Sequence, residues 1–100
     1  MLYYVVHVYI EEAVATRWLD WMTSVHVPDV LRTRCFDSAR LSQLLEPVRP
    51  GYKAYQVQYV TTSADRLEEY RQRHAAHLQD EHTQKFAGRF VASRYVYRDL

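Results

Sequence analysis

Histidine is the residue type in this chain best suited to proton transfer near neutral pH, because its imidazole gains and loses a proton there. The chain has five histidines. His74 and His82 fall within an apolar stripe of helical period, and His26 lies at the margin of another. We expect these three to converge on a cleft between helices and sheet, with His26 and His74 as candidate catalytic proton acceptors. The alternative for each is a structural histidine, hydrogen-bonded to a carbonyl or carboxylate.

Aromatic side chains near these histidines predict the walls of the same cleft. Trp21 and Val25 lie in the first helical stripe, which predicts that both face the sheet, and Tyr55 and Tyr59 alternate along a predicted strand. An apolar cleft with a few polar groups is typical of a site for a small apolar or aromatic ligand. The candidate ligand-binding residues are Trp21, His26, Tyr55, Tyr59, His74 and His82.

Metal and cofactor chemistry has little support in the sequence. His74 and His77, or His77 and Glu81, share a helix face and could bind zinc, but no HExxH motif is present. Cys35 is the only cysteine, which excludes a disulfide within the chain and a thiolate zinc site. Two glycines are too few for a phosphate-binding loop. We therefore expect neither a metal nor a cofactor, and nothing in the sequence requires haem.

Composition limits the class of protein and its partners. One hundred residues, 48% of them hydrophobic, fit one domain spanning residues 1–100. The net charge is only +1 and the charges are interspersed, which argues against binding to nucleic acid or an anionic membrane. No apolar run approaches the roughly 20 residues of a membrane span, and no signal peptide precedes the first strand. A cytoplasmic location is the expectation.

Hydrophobic periodicity predicts four strands and two helical regions. The strands are expected at 2–10, 36–45, 52–61 and 90–98. Helices are expected at 13–26, 28–34 and 64–87, with Pro28 opening a short second piece and Gly88 ending the last. The order is βαββαβ, which predicts an α+β, ferredoxin-like fold with a four-stranded antiparallel sheet.

Right-handed crossovers place both helices on one face of this sheet. We assign six residues to that face: Val6, Val8, Ala39, Leu41, Val57 and Tyr59. On the edge strands we assign Phe36, Arg40, Phe90, Ala92 and Arg94 to the opposite face. That mixture of apolar and polar groups is typical of an interface. The sequence therefore predicts a homodimer through the sheet face, and a monomer with an unusually apolar surface is the alternative.

The chain also resembles a family of short bacterial proteins known only as a domain of unknown function. The matching motifs are the runs 18–22, 26–31 and 55–59, then Tyr70 with His74-Ala75 and Glu81-His82, followed by Phe90-Val91-Ala92. Where the family usually has glycine, this chain has Arg34, so that turn is expected to differ.

The resemblance implies membership of the dimeric α/β barrel group. That group includes cofactor-independent monooxygenases acting on polycyclic aromatics, haem-degrading enzymes, isomerases of small lactones and proteins associated with ether degradation. The step from His26 to Pro28 is similar to a His-x-Pro step in the last of these. The resemblance implies fold and dimerisation, but it carries no activity.

Three functions remain open on this basis. The first is a homodimeric binding protein for a small apolar or aromatic molecule. The second is a cofactor-independent enzyme, similar to a monooxygenase or an isomerase, that uses His26 or His74. The third is a structural or regulatory interaction module. We rank the binding protein first, because no complete catalytic constellation can be named.

Overall fold

The computed structural model describes residues 1–100 and contains one four-stranded antiparallel sheet. Its strands lie in the order β2-β3-β1-β4. They are β1 (Leu2–Glu11), β2 (Ser38–Leu44), β3 (Tyr52–Thr61) and β4 (Phe90–Arg98). The helices are α1 (Ala15–Trp21), α2 (Val27–Arg32), α3 (Ala64–Arg73) and α4 (Ala75–Lys85). The predicted βαββαβ order and ferredoxin-like fold are confirmed. No helix combines the length and apolar character that crossing a membrane requires.

The helices pack on one face of the sheet and close a core there. Val6 and Leu41 both lie opposite Val57, so these three side chains share a face. Trp18, Met22, Leu67, Leu78 and Phe86 cover that face and are almost fully buried. The predicted inner-face residues on β1, β2 and β3 are therefore confirmed.

The assignment of β4 was wrong. Phe90 pairs with Ile10, Ala92 with Val8 and Arg94 with Val6, which places all three on the helix face. The error is a phase shift of one residue, which moves every side chain to the opposite face. Phe36 was misassigned too. It precedes β2, is buried, and its ring lies 5.0 Å from that of Tyr70.

The first helical region is not divided into two pieces before Pro28, as predicted, but continues through that proline. A 3₁₀ turn (Glu12–Val14) precedes α1, and a π turn (Met22–His26) joins α1 directly to α2. The wider turn leaves room for Pro28, which has no N–H to donate to the preceding turn. It also shifts the helical register. Val25, which the stripe predicted as buried, is 39% exposed, and His26 faces the sheet instead.

The second helical region is interrupted in its middle. His74 has φ −123° and ψ −34°, outside regular helix geometry, and it separates α3 from α4. Ser63 caps the start of α3 by accepting a hydrogen bond from the backbone N–H of Arg66 at 3.1 Å. The second helix therefore begins as predicted. It breaks at His74 and ends at Lys85, short of the predicted end.

The face of the sheet away from the helices, which we call the outer face, is uncovered. One row across it consists of Arg40, Gln58, Val5 and Tyr95, in register. Tyr95 and Tyr97 are 45% and 53% exposed on β4, although Val5 in the centre is already buried. Polar groups and exposed aromatic rings are mixed on this face, as at protein interfaces.

Candidate functional site

A cleft lies between the inner face of the sheet and the helical layer. It is narrow: its cavity volume is about 30 Å³, and the space between atoms reaches about 430 Å³ only when its opening to solvent is included. Strands β1, β3 and β4 form its floor, and the π turn, α3 and α4 form its walls. The residues that line it are Tyr4, Val6, Val8, Met22, His26, Val57, Tyr59, Tyr70, Gln79, His82, Ala92 and Arg94.

His82 is held in the cleft wall by a buried hydrogen bond. The indole Nε1–H of Trp18 donates to Nε2 of His82 at 2.8 Å. Indole can only donate, so Nε2 must be the unprotonated nitrogen of a neutral imidazole and the proton resides on Nδ1. The ring of Phe90 stands perpendicular to that imidazole, with centroids 4.4 Å apart. The orientation and tautomer of His82 are both determined by its neighbours.

His26 is the second imidazole of the cleft, and it has no such partner. Its Nδ1 is buried without any hydrogen bond. Its ring lies 5.8 Å from that of His82 and 5.2 Å from that of Trp21. A buried polar atom without a partner is costly in a folded protein, so it is a natural contact point for a bound molecule.

Burial keeps both imidazoles neutral. It lowers the pKa of His26 to about 4, a shift that Arg94 reinforces and Asp29 opposes. The pKa of His82 is also lowered to about 4, first by burial and then by His26 and Arg94. Near pH 7 the neutral ring of His26 can therefore accept a proton, although it is a weak base, whereas the one lone pair of His82 is engaged by Trp18.

Three tyrosines supply further polar groups to an otherwise apolar lining. Burial raises the pKa of Tyr59 and of Tyr70 well above the usual value, so both phenols stay protonated. Tyr4 stands between them, with ring centroids 6.3 Å from Tyr59 and 5.6 Å from Tyr70.

Arg94 is the charged group of the cleft. It is exposed although it lines the cleft, so it lies where the cleft meets solvent. None of the ion pairs in the chain includes Arg94. No Asp or Glu lines the cleft. Sequence reasoning missed Arg94 because it placed β4 in the wrong phase, and the pairing of β4 with β1 is the signal that corrects it.

The structure brings only some of the predicted site residues together. His26, His82 and Tyr59 line the cleft, and Trp21 packs against both histidines. Tyr55 is buried beneath Trp18, with centroids 4.9 Å apart, and is not part of the lining. His74 lies outside the cleft at the helix break, 6.3 Å from the ring of Tyr70.

The residues considered for a metal are also separated from the cleft. His77 pairs with Glu81 on the exposed side of α4, at 3.3 Å. No three His, Cys, Asp or Glu side chains are grouped as ligands for a metal ion.

Comparison with protein families assigns the chain to one of them. The model of the domain of unknown function DUF4286 matches residues 1–99. The chain belongs to this family. No curated protein matches the chain significantly.

Solved structures share the fold at low sequence identity. A dimeric ferredoxin-like protein from an uncultured marine organism has a TM-score of 0.70 and 10% identity, covering 100% of this chain and 95% of its own. An ethyl tert-butyl ether (EthD) family protein from Bacillus halodurans has a TM-score of 0.69 and 11% identity, with both chains fully covered. SnoaB, a cofactor-independent oxygenase from Streptomyces nogalater, has a TM-score of 0.62 and 9% identity, covering 98% and 92%. At these identities the likeness shows the fold alone.

Proposed function

We propose that this protein is a homodimer that binds a small aromatic molecule in the cleft between sheet and helices. The observation that carries the proposal is the cleft itself, in which apolar and aromatic walls surround two neutral imidazoles and a few hydroxyl groups. Such a lining favours a flat apolar body, which the polar groups would orient once the narrow cleft widens to admit it.

Dimerisation belongs to the same proposal. The outer face exposes Val91, Tyr95 and Tyr97 along β4, and the fold is shared with dimeric ferredoxin-like proteins. Contact between two outer faces would remove these apolar surfaces from water.

Occlusion of the cleft tests the binding proposal. The neutral probe 2-naphthamide, measured by isothermal titration calorimetry, is expected to bind the native protein. Ala92→Leu places a larger side chain in the lining and should weaken binding about ten-fold or more. Ala76→Leu, the same change at an exposed position of α4, is the matched control and should leave binding unchanged. Equal binding to all three proteins would place the probe elsewhere and contradict the proposal.

An enzyme is the second candidate, and the unpartnered imidazole of His26 favours it. In this hypothesis His26 accepts the hydroxyl proton of a bound phenol, and O₂ oxidises the ring. With 1-naphthol as the probe, one O₂ would give 1,4-naphthoquinone and one water. The fold is that of a cofactor-independent oxygenase. His74, the other predicted acceptor, lies outside the cleft.

Oxygen uptake in the presence of 1-naphthol distinguishes the enzyme from the binding protein. If the enzyme hypothesis holds, the native protein consumes O₂ and His26→Ala does not. His77→Ala, at an exposed histidine paired with Glu81, should keep the native rate. A native protein that binds the naphthalene ring without consuming O₂ would leave the binding function and remove the enzymatic one.

A further inference from the structure

We propose that the natural ligand carries a negatively charged oxygen group, and that Arg94 binds this group at the opening of the cleft. This inference rests on the proposed function, because it assumes that the cleft is occupied by a small molecule. It adds the chemical class of that molecule, which is an aromatic acid or another aromatic anion.

The charge balance of the lining is the first argument. Arg94 bears a permanent positive charge, and neither an ion pair nor a lining carboxylate compensates it. The two imidazoles are neutral, so the cleft carries one unbalanced positive charge near pH 7. An arginine beside a partly desolvated apolar cleft favours an anion far more than one in open water.

The distribution of hydrogen-bond donors is the second argument. His82 accepts from Trp18 through Nε2, which leaves its Nδ1–H as a donor. Tyr59 and Tyr70 retain their hydroxyl protons, and Arg94 adds a guanidinium fork. The lining therefore offers several donors to one ligand group, beside the acceptor atoms of His26 and Gln79. A carboxylate, which only accepts hydrogen bonds, complements such a surface better than a neutral amide does.

The geometry of the strand is the third argument. Arg94 pairs with Val6 in the row that also contains Val57, and Val6 and Val57 form part of the apolar floor. A ligand with its ring over these valines would direct a substituent along the row toward Arg94. The forked guanidinium can then bind both oxygens of a carboxylate.

A matched pair of probes tests the inference. The ligands 2-naphthoate and 2-naphthamide have nearly the same shape and differ in charge. By calorimetry at about pH 7.5, the native protein is expected to bind the naphthoate about ten-fold more tightly or better, which is typical of a charge-assisted pair. Arg94→Gln should remove this preference and leave the affinity for the amide within about two-fold. Arg73→Gln, which removes one exposed charge on α3, should preserve it.

The outcomes separate the two proposals. If neither probe binds, the proposed function fails for naphthalene-sized ligands and the inference fails with it. If both bind equally to the native protein, binding stands and the anion preference is overturned. If the preference survives Arg94→Gln, the ligand is an anion bound by another group and the role of Arg94 is overturned. Arg94→Lys, which keeps the charge without the fork, is expected to retain part of the preference and serves as a second variant should Arg94→Gln fold poorly.

Discussion

The two faces of the sheet differ in how far their polar groups are exposed to solvent and in what those groups contact. On the inner face, polar groups are few, and the buried His82 is oriented by the indole of Trp18. On the outer face, polar groups such as Gln58 and Arg40 lie beside each other and share the face with exposed rings such as Tyr95. Buried polar groups restrict the arrangement of side chains on the inner face, whereas the composition of the outer face resembles that of a protein interface.

The largest expected effect is on the stability of the inner face. Trp18→Ala removes a fully buried indole and leaves Nε2 of His82 without its donor. The free energy of unfolding should fall by about 3–5 kcal/mol, measured by urea denaturation at protein concentrations where the chain is monomeric. Tyr97→Ala on the outer face is the control and should cost about 1 kcal/mol or less, because its ring is half exposed. Equal losses for both variants would contradict the distinction between the faces.

A charge on the outer face should dissociate the proposed dimer. Tyr95→Glu would bring two carboxylates into the contact, and the dimer dissociation constant should rise by about 100-fold or more in sedimentation equilibrium. Val25→Glu is the matched control, since Val25 is similarly exposed but lies in the helical layer. A native chain that sediments as a monomer at micromolar concentration would refute the dimer.

Acid should lower the free energy of unfolding because the two histidines of the cleft, His26 and His82, are buried in the folded chain. Both bind protons more weakly in the folded chain, with pKa values of about 4, than in the unfolded chain, where histidine has a pKa near 6.5. The unfolded state therefore takes up protons first as the pH falls. The free energy of unfolding should be fully retained above pH 6.5 and decrease toward pH 4, by about 1 kcal/mol per pH unit for each histidine.

Substitution of one histidine checks the source of this pH dependence. His26→Gln should reduce the slope of unfolding free energy against pH between pH 6.5 and pH 4. His77→Gln, which changes an exposed histidine, should leave it unchanged. The same slope in His26→Gln as in the native chain would show that other groups are responsible.

The smallest expected effect concerns a residue that the sequence places inside and the structure places outside. Val25→Ser should change the free energy of unfolding by no more than about 0.5 kcal/mol, because the π turn directs Val25 to solvent. A fall in the free energy of unfolding of about 2 kcal/mol or more, measured by urea denaturation, would instead support the regular helix that the stripe predicts and would contradict the π turn.

Sequence reasoning succeeded where one face of an element has a clear period. The alternation of Tyr55, Val57 and Tyr59 identified the inner face of β3, and the register confirms it. In β4 the run Phe90-Val91-Ala92 is apolar throughout, so alternation does not show which side chains face the helices. Only the pairing of β4 with β1 determines that. Arg94 was therefore assigned to the wrong face.

The candidate site was harder to predict than the fold. His26 and His82 were recognised as candidates, but the bond from Trp18 to His82 joins residues 64 positions apart. No local pattern encodes such a contact. The break at His74 could not be predicted from the sequence either, because neither proline nor glycine occurs at that position. The sequence identified the histidines as candidates. The packing of the two helical regions determines which of them line the cleft.

The π turn has a consequence for how such a site arises in evolution. A π turn holds one residue more than the α turn it replaces, so it corresponds to the insertion of a single codon. Removing one residue between Met22 and His26 would make His26 the third residue after Met22, which a regular α-helix also directs toward the sheet. The sheet, the core and the outer face would keep their sequences. The π turn therefore lets the chain carry one additional residue while His26 still faces the cleft, so relatives should differ in length by one residue at this point without losing the imidazole.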